Sequence, residues 1–194
     1  TMNHCSVIFS HEYIHAEQLS GKTAIVIDTL RATTVMTTAL ANEAASIRCV
    51  AETEDALRLK AASPGLILGG ERHALKIPGF DLSNSPLEYT RDVVAGHDLV
   101  MTTSNGTRTL LKAAGARTVL IGCLRNAAAA MAKAISLGHD IVLVNAGTLG
   151  QFSLDDYITA GAMAAAAGDA LELSDAARGA RLLYEDHPGI HSAL

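Results

Sequence analysis

An apolar stretch, Ala-Ile-Val-Ile at residues 24–27, runs directly into Asp28 and then Arg31. A buried strand has no structural use for such a pair at its end. In an open α/β sheet, ligands bind at the carboxyl ends of the parallel strands, so an acid and a guanidinium delivered there point to an anionic ligand, with or without a metal. Arg offers a planar fork to phosphate or sulfonate, and Asp suits Mg2+ or attack on phosphorus. The plainer alternative is a local Asp28–Arg31 ion pair, with Asp28 capping the next helix. Glu71 follows Leu-Ile-Leu-Gly-Gly, a second strand end where glycines let backbone come close to a ligand. Asp28 and Glu71 can together make a metal site. Otherwise Glu71 is a solvated loop acid beside Arg72.

Further candidates follow other strand ends. Thr-Thr-Ser-Asn-Gly-Thr-Arg at 102–108 combines hydroxyls, a glycine and a helix start. Free N–H groups at a helix start bind anions, so Ser104, Asn105, Gly106 and Thr107 form either a phosphate cradle or an ordinary capped turn. The segment is neither a Walker A loop nor a Rossmann fingerprint. Asn-Ala-Gly-Thr-Leu-Gly-Gln-Phe-Ser at 145–153 repeats the formula. Gly147 and Thr148 are placed to line a pocket, and Asp155 and Asp156 suit the dipole of the helix that follows. Asp81 and Asn84 are candidates at the end of a long loop, where Ser85 serves best as a helix N-cap. His11-Glu12-Tyr13-Ile14-His15 matches His-Glu-x-x-His, the zinc motif in which the glutamate activates water. It sits in a short N-terminal connection before Gly21, with no further histidine in the pattern, and as a lone motif it carries less weight than the strand-end acids.

The elements that must position these residues alternate. Short β-rich apolar runs at 24–27, 46–50, 66–68, 98–101, 118–121 and 141–144 predict strands, with a further edge strand at 7–9. Between them, 31–42, 53–62, 86–95, 106–114 and 126–137 carry apolar residues at spacings of three and four, the period of helices. This order predicts a three-layer αβα fold, a mostly parallel sheet with helices on both faces. Ser85-Pro86-Leu87-Glu88 reads as a capping box with proline at the first helical position, Ser153 opens another helix, and Gly115 and Gly138 sit where C-caps are wanted. Residues 69–85 have neither period, and a loop of that length in a compact domain is usually functional.

Composition narrows the function classes. At 194 residues the chain fits one domain with a full core. A formal net charge of -5, no basic cluster, no Trp and 4% aromatics argue against nucleic acid as a partner. Cysteines number three, without a C-x-x-C pair, which excludes a disulfide framework and fits a reducing cytoplasm. No run is long and apolar enough for a membrane span, and the start lacks a signal peptide. The alanine-rich stretch 160–167 is compatible with a buried contact in a homo-oligomer.

Five segments in order, Val-Ile-Asp-Thr-Leu-Arg-Ala-Thr-Thr (26–34), Gly-Gly-Glu-Arg (69–72), Gly-Phe-Asp-Leu-Ser-Asn-Ser-Pro (79–86), Thr-Thr-Ser-Asn-Gly-Thr-Arg (102–108) and Ala-Gly-Thr-Leu-Gly-Gln-Phe-Ser-Leu-Asp-Asp (146–156), resemble the 2-phosphosulfolactate phosphatase family. The resemblance implies an α/β fold and a Mg2+-dependent phosphatase acting on a small phosphorylated sulfonate in coenzyme M formation. Members of that family continue past the end of this chain, which reads as a single phosphatase-like domain over 1–194, shortened at a final helix holding His191 to Leu194. Under this resemblance Asp28 and Glu71 hold Mg2+, and Arg31 with the 104–107 turn grips the phosphate. Arg72, Asp81, Asn84, Gly147 and Thr148 complete the binding set. The metal either activates water or leaves Asp28 free to attack phosphorus. Two competitors belong to other classes: a non-catalytic phosphate- or sulfonate-binding module, and a zinc hydrolase built on His11, Glu12 and His15.

Overall fold

The computed structural model describes residues 2–187 and 189. The elements in chain order are β1 (His4–Ile8), a 3-10 turn (His11–Tyr13), α1 (Ala16–Leu19), β2 (Thr23–Ile27), α2 (Ala32–Ala41), β3 (Ser46–Cys49), α3 (Thr53–Ala62), β4 (Ile67–Gly70) and a 3-10 turn (Pro86–Glu88). There follow α4 (Arg91–Val94), β5 (Asp98–Thr102), α5 (Gly106–Lys112), β6 (Thr118–Gly122), α6 (Ala127–Ser136), β7 (Ile141–Asn145), α7 (Leu154–Ala166), β8 (Glu172–Leu173) and α8 (Asp175–Glu185). The predicted βα alternation is present, and so is the layered α/β arrangement. Among the described residues no helix is long and apolar enough to cross a membrane.

All strand pairings are parallel, but they form two sheets rather than one: β6-β2-β7-β1-β8 and β3-β5-β4. Alternate residues of the larger sheet feed opposite cores, as the strand period requires. Ile25, Ile27, Ile141 and Leu143 pack with Met131 and Met163 beneath α6 and α7. Ala24, Val26, Val142 and Val144 face the other way, with Leu19 and Ala113. Both faces are covered, so β2 and β7 are buried along their whole length and read as unbroken apolar runs. In the smaller sheet, Leu99 and Met101 pack on Val35, Met36 and Ala39 of α2, while Val100 and Leu68 face Ala56 of α3 and Phe80.

Four expectations are corrected. The strand expected at the edge over 7–9 spans His4–Ile8 and lies inside the sheet, between β7 and β8; a strand's own sequence does not name its neighbours. The helix expected over 86–95 breaks, because Tyr89 is fully buried, with its hydroxyl donating to the Ser83 carbonyl (2.7 Å), and Thr90 is extended. The expected capping box moves with it: Ser85 makes no side-chain cap, and Glu88 accepts instead from the Ser83 amide (2.9 Å) and hydroxyl. The alanine stretch is consumed within the chain, for Ala160 and Ala164 are wholly buried and Gly161 lies so close to Ala180 that a Cβ would meet its carbonyl at 2.1 Å. The final helix expected around His191 to Leu194 falls outside the described residues.

Candidate active site

The carboxyl ends of β1, β2, β4, β5 and β7 converge on a cavity of about 960 Å³, whose wall includes Asp28, Arg31, Glu71, Arg72, Ser104 and Thr148. Most of the candidates read from the sequence lie on this rim.

Asp28 leaves β2 into a turn that fixes it from several sides. Its amide donates to Thr33 Oγ1 (2.9 Å), which in turn donates to the Gly122 carbonyl (2.7 Å). The carboxylate accepts from the amides of Ala32 and Gly106, at the starts of α2 and α5. Burial nevertheless pushes its pKa up to about 7, helped by the negative charges of Asp155 and Glu71. The alternative Asp28–Arg31 ion pair is absent among the described residues. Arg31 opens α2 as its N-cap residue, follows a cis peptide at Leu30, and lines the cavity; among the described residues it makes no ion pair, and its charge reaches Glu88 only at longer range.

Glu71 is delivered by Gly69 and Gly70. Gly70 has φ +138° and a Cβ there would lie 1.9 Å from the Thr102 carbonyl, so only glycine lets β4 reach this position beside β5. The Glu71 carboxylate is buried and fully engaged: Oε1 accepts from the Ser104 amide (2.6 Å), and Oε2 from the Ser104 hydroxyl (3.0 Å) and the Ala74 amide (2.8 Å). Arg72 is a strut, donating to the carbonyls of Glu71 (3.0 Å) and Ala51 (2.5 Å) and to Thr102 Oγ1 (2.6 Å).

The expected phosphate cradle is revised by these bonds. The amides of Ser104 and Gly106 already donate to Glu71 and Asp28, and the Thr107 amide donates to Thr103 Oγ1 (3.0 Å). The turn is a bracket that holds the two carboxylates in fixed relation, rather than a nest for an anion. Gly106 is required for it, since a Cβ would come within 2.4 Å of Ala32 Cβ and 2.6 Å of Asp28 Oδ2.

Asn84 joins the wall with its Oδ1 buried and unpartnered, an acceptor left for a ligand. Thr148 also lines the cavity, whereas Gly147 lies beneath, its amide donating to Asp156 (3.0 Å). Asp81 is placed apart from the cavity wall: it accepts from the Leu68 amide (2.8 Å) and Lys60 Nζ (2.9 Å), tying the long loop to β4 and α3.

Asp156 was read only as a helix-dipole acid, yet it is buried under the site. Its Oδ1 accepts from the Thr29 amide (3.0 Å) and its Oδ2 from Gly147, so it joins the turn after β2 to the turn after β7. Burial and the charges of Asp28 and Asp155 push its pKa up to about 8. A signal existed: Asp156, Thr159, Ala160 and Met163 share the helical stripe that is buried, an unlikely place for an acid with no task. Arg108, on the cavity wall, was also missed, although it closes the 102–108 segment.

The zinc reading fails on backbone grounds. His11–Tyr13 is a 3-10 turn, Ile14 and His15 are extended, and the ring nitrogens of His11 face the Ala146 carbonyl (2.9 Å) and Glu12 Oε1 (2.9 Å). His15 therefore does not join His11 on a helical face. His11 and Glu12 themselves do line the cavity.

Among the described residues no three His, Cys, Asp or Glu side chains form a cage for a metal. Mg2+ does not demand one, because it is commonly held by one or two carboxylates, with water and substrate phosphate completing its shell. Asp28 meets that need: it is a buried carboxyl on the cavity wall, raised in pKa by its burial and by the negative charges of Asp155 and Glu71. The donor set fits the ion.

The family model described as 2-phosphosulpholactate phosphatase matches residues 8–194. A protein of Clostridium acetobutylicum named probable 2-phosphosulfolactate phosphatase is 47% identical over 188 residues, 95% of this chain and 80% of that protein. Proteins of the same name from Clostridium novyi and Clostridium tetani are 46% and 48% identical, over 96% and 92% of this chain and 80% and 78% of their own lengths.

Proposed function

The chain belongs to the 2-phosphosulfolactate phosphatase family, and we propose that it hydrolyses the phosphate ester of a small sulfonated hydroxy acid, 2-phosphosulfolactate, releasing sulfolactate and phosphate in a Mg2+-dependent reaction. The observation that carries this reading is the shared cavity of a buried carboxyl of raised pKa, Asp28, and two guanidinium groups that make no ion pair among the described residues, Arg31 and Arg108. A substrate with three anionic groups asks for this combination.

Asp28 would hold Mg2+, with Glu71 supporting it through the Ser104 bracket. The bound ion supplies Lewis acidity to the phosphoryl oxygens and lowers the pKa of water. Arg31 and Arg108 bind the anionic ends of the substrate and orient the ester for in-line attack. Asn84 offers its free Oδ1 to a substrate hydroxyl or to water. A non-catalytic binding module would use the same cations, but it leaves the acid cluster without a use. We also place the enzyme in the cytoplasm with no nucleic-acid partner, a view supported by three free cysteines and an acidic chain.

The test is phosphate release from phosphosulfolactate with Mg2+ and with chelator. Asp28→Asn and Arg31→Ala are expected to lower kcat/KM by about 100-fold or more each, roughly 2.7 kcal/mol of transition-state stabilisation. Undiminished release by both variants removes this centre. Phosphoglycolate and phospholactate, which lack the sulfonate, should be turned over far more slowly.

A further inference from the structure

The His11-Glu12 pair is the piece of chemistry on the cavity wall that the zinc motif does not explain and the proposed metal centre does not use. His11 is buried, 7% exposed in its side chain, and Glu12 Oε1 lies 2.9 Å from its Nε2, with the Glu12 side chain 56% exposed on the cavity side. The opposite ring nitrogen, Nδ1, faces the Ala146 carbonyl at 2.9 Å. A carbonyl only accepts, so Nδ1 must carry a hydrogen. The 2.9 Å contact at Nε2 then needs a second proton, because an imidazole lone pair set against a carboxylate repels it. The pair thus stores one proton between Nε2 and Oε1. Its other surroundings favour keeping it in place: Ser10 accepts from the Glu12 amide, and Gly150 packs where its Cβ would lie 3.0 Å from Glu12 Cγ. The charged groups that face it are Lys112 of α5, 3.8 Å from Glu12 Oε1 and donating to the His11 carbonyl, and Arg108 one turn earlier on the same helix; the 148–151 turn adds none.

Resting on the phosphatase reading, we propose that Glu12 is the general acid of the reaction and His11 its positioning residue. Water oxygen bonds to phosphorus as the bond between phosphorus and the ester oxygen breaks, and the departing oxygen keeps the electron pair. The leaving alkoxide belongs to a secondary alcohol, far too basic to depart unprotonated. It takes the stored proton through Glu12. One proton of the attacking water stays on phosphate, and the other reloads the pair, so the cycle closes without a further reactant.

Glu12→Gln keeps the size of the exposed side chain and is expected to fold. Its kcat on phosphosulfolactate should fall about 100- to 1,000-fold with KM within about 3-fold. On p-nitrophenyl phosphate, whose leaving group needs no proton, the loss should stay within about 5-fold. His11→Asn removes the hydrogen bond at Glu12 Oε1 and should lower kcat on phosphosulfolactate while sparing p-nitrophenyl phosphate, as Glu12→Gln does; a merely structural histidine would lower activity equally on both esters. Wild-type kcat in Glu12→Gln, or a loss confined to KM, or an equal loss on both esters, overturns the assignment. Failure of the wild-type enzyme to release phosphate from either ester overturns the phosphatase reading instead.

Discussion

Glu71 shows how a residue's environment decides its use. Its two oxygens accept three hydrogen bonds, from Ser104 N, Ser104 Oγ and Ala74 N, so its first task is to lock the loop after β4 to the turn after β5. Glu71→Gln keeps the shape but sets an NH2 group against one of those donors. An unmet buried donor costs about 1–3 kcal/mol, which for a chain of this size is a drop of about 2–10 °C in Tm. Scanning calorimetry of the cation-free variant checks this, and an unchanged Tm would return Glu71 to the role of metal ligand alone. The acid itself was legible in the sequence because it ends a strand after two glycines, an expensive place for a charge without a purpose. Asp156 and Glu12 were not, for different reasons. Asp156 hides in a helix start that flatters any acid, and Glu12 sat inside a motif whose meaning depends on a helix that the backbone does not form.

At the scale of elements, the turn from Thr103 to Thr107 links the two sheets chemically as well as along the chain. Ser104 holds the acid delivered by β4 and Gly106 the acid delivered by β2, and β4 and β2 belong to different sheets. Gly106→Ala forces a Cβ against Ala32 Cβ and Asp28 Oδ2, both fixed close to backbone. The expected result is a loss of about 1–3 kcal/mol of stability and a fall in kcat as large as that of Asp28→Asn, with the fold retained by circular dichroism. Activity within a factor of two of wild type would mean that the bracket does not position Asp28. The alternation of strands and helices was readable from periodicity alone. The division into two sheets was not, because the strand-helix-strand run of β2, α2 and β3 leaves no local mark of whether β3 pairs with β2 or starts a new sheet. Nor was the break at Tyr89: its ring fills the core beneath α2, and no helical period registers a buried hydroxyl that needs the Ser83 carbonyl.

The whole molecule carries a strained charge distribution that pH and a cation should relieve in opposite ways. Asp28 and Asp156 are raised to about 7 and 8, chiefly by burial and then by neighbouring acids. In the unfolded chain both titrate near 4. Between about pH 4 and 8 the cation-free folded state therefore keeps protons that the unfolded state has released, and stability falls as pH rises through that window. Glu88 works the other way, held below its usual range by the Ser83 hydroxyl and amide, and its contribution is lost only on the acid side of about pH 4. At the proposed site Mg2+ would bind the deprotonated form of Asp28, so its stabilisation should grow with pH while the intrinsic stability declines. Thermal scans at about pH 5.5 and 8.5 should thus show a lower Tm at the higher pH without metal and a larger upward shift with millimolar Mg2+ at the higher pH. Asp28→Asn removes the carboxyl from both effects: its cation-free Tm should change less with pH, and Mg2+ should shift it little at either value. Equal Mg2+ shifts at the two pH values in the wild-type protein would place the ion away from Asp28, and the acid cluster would then need another counter-charge.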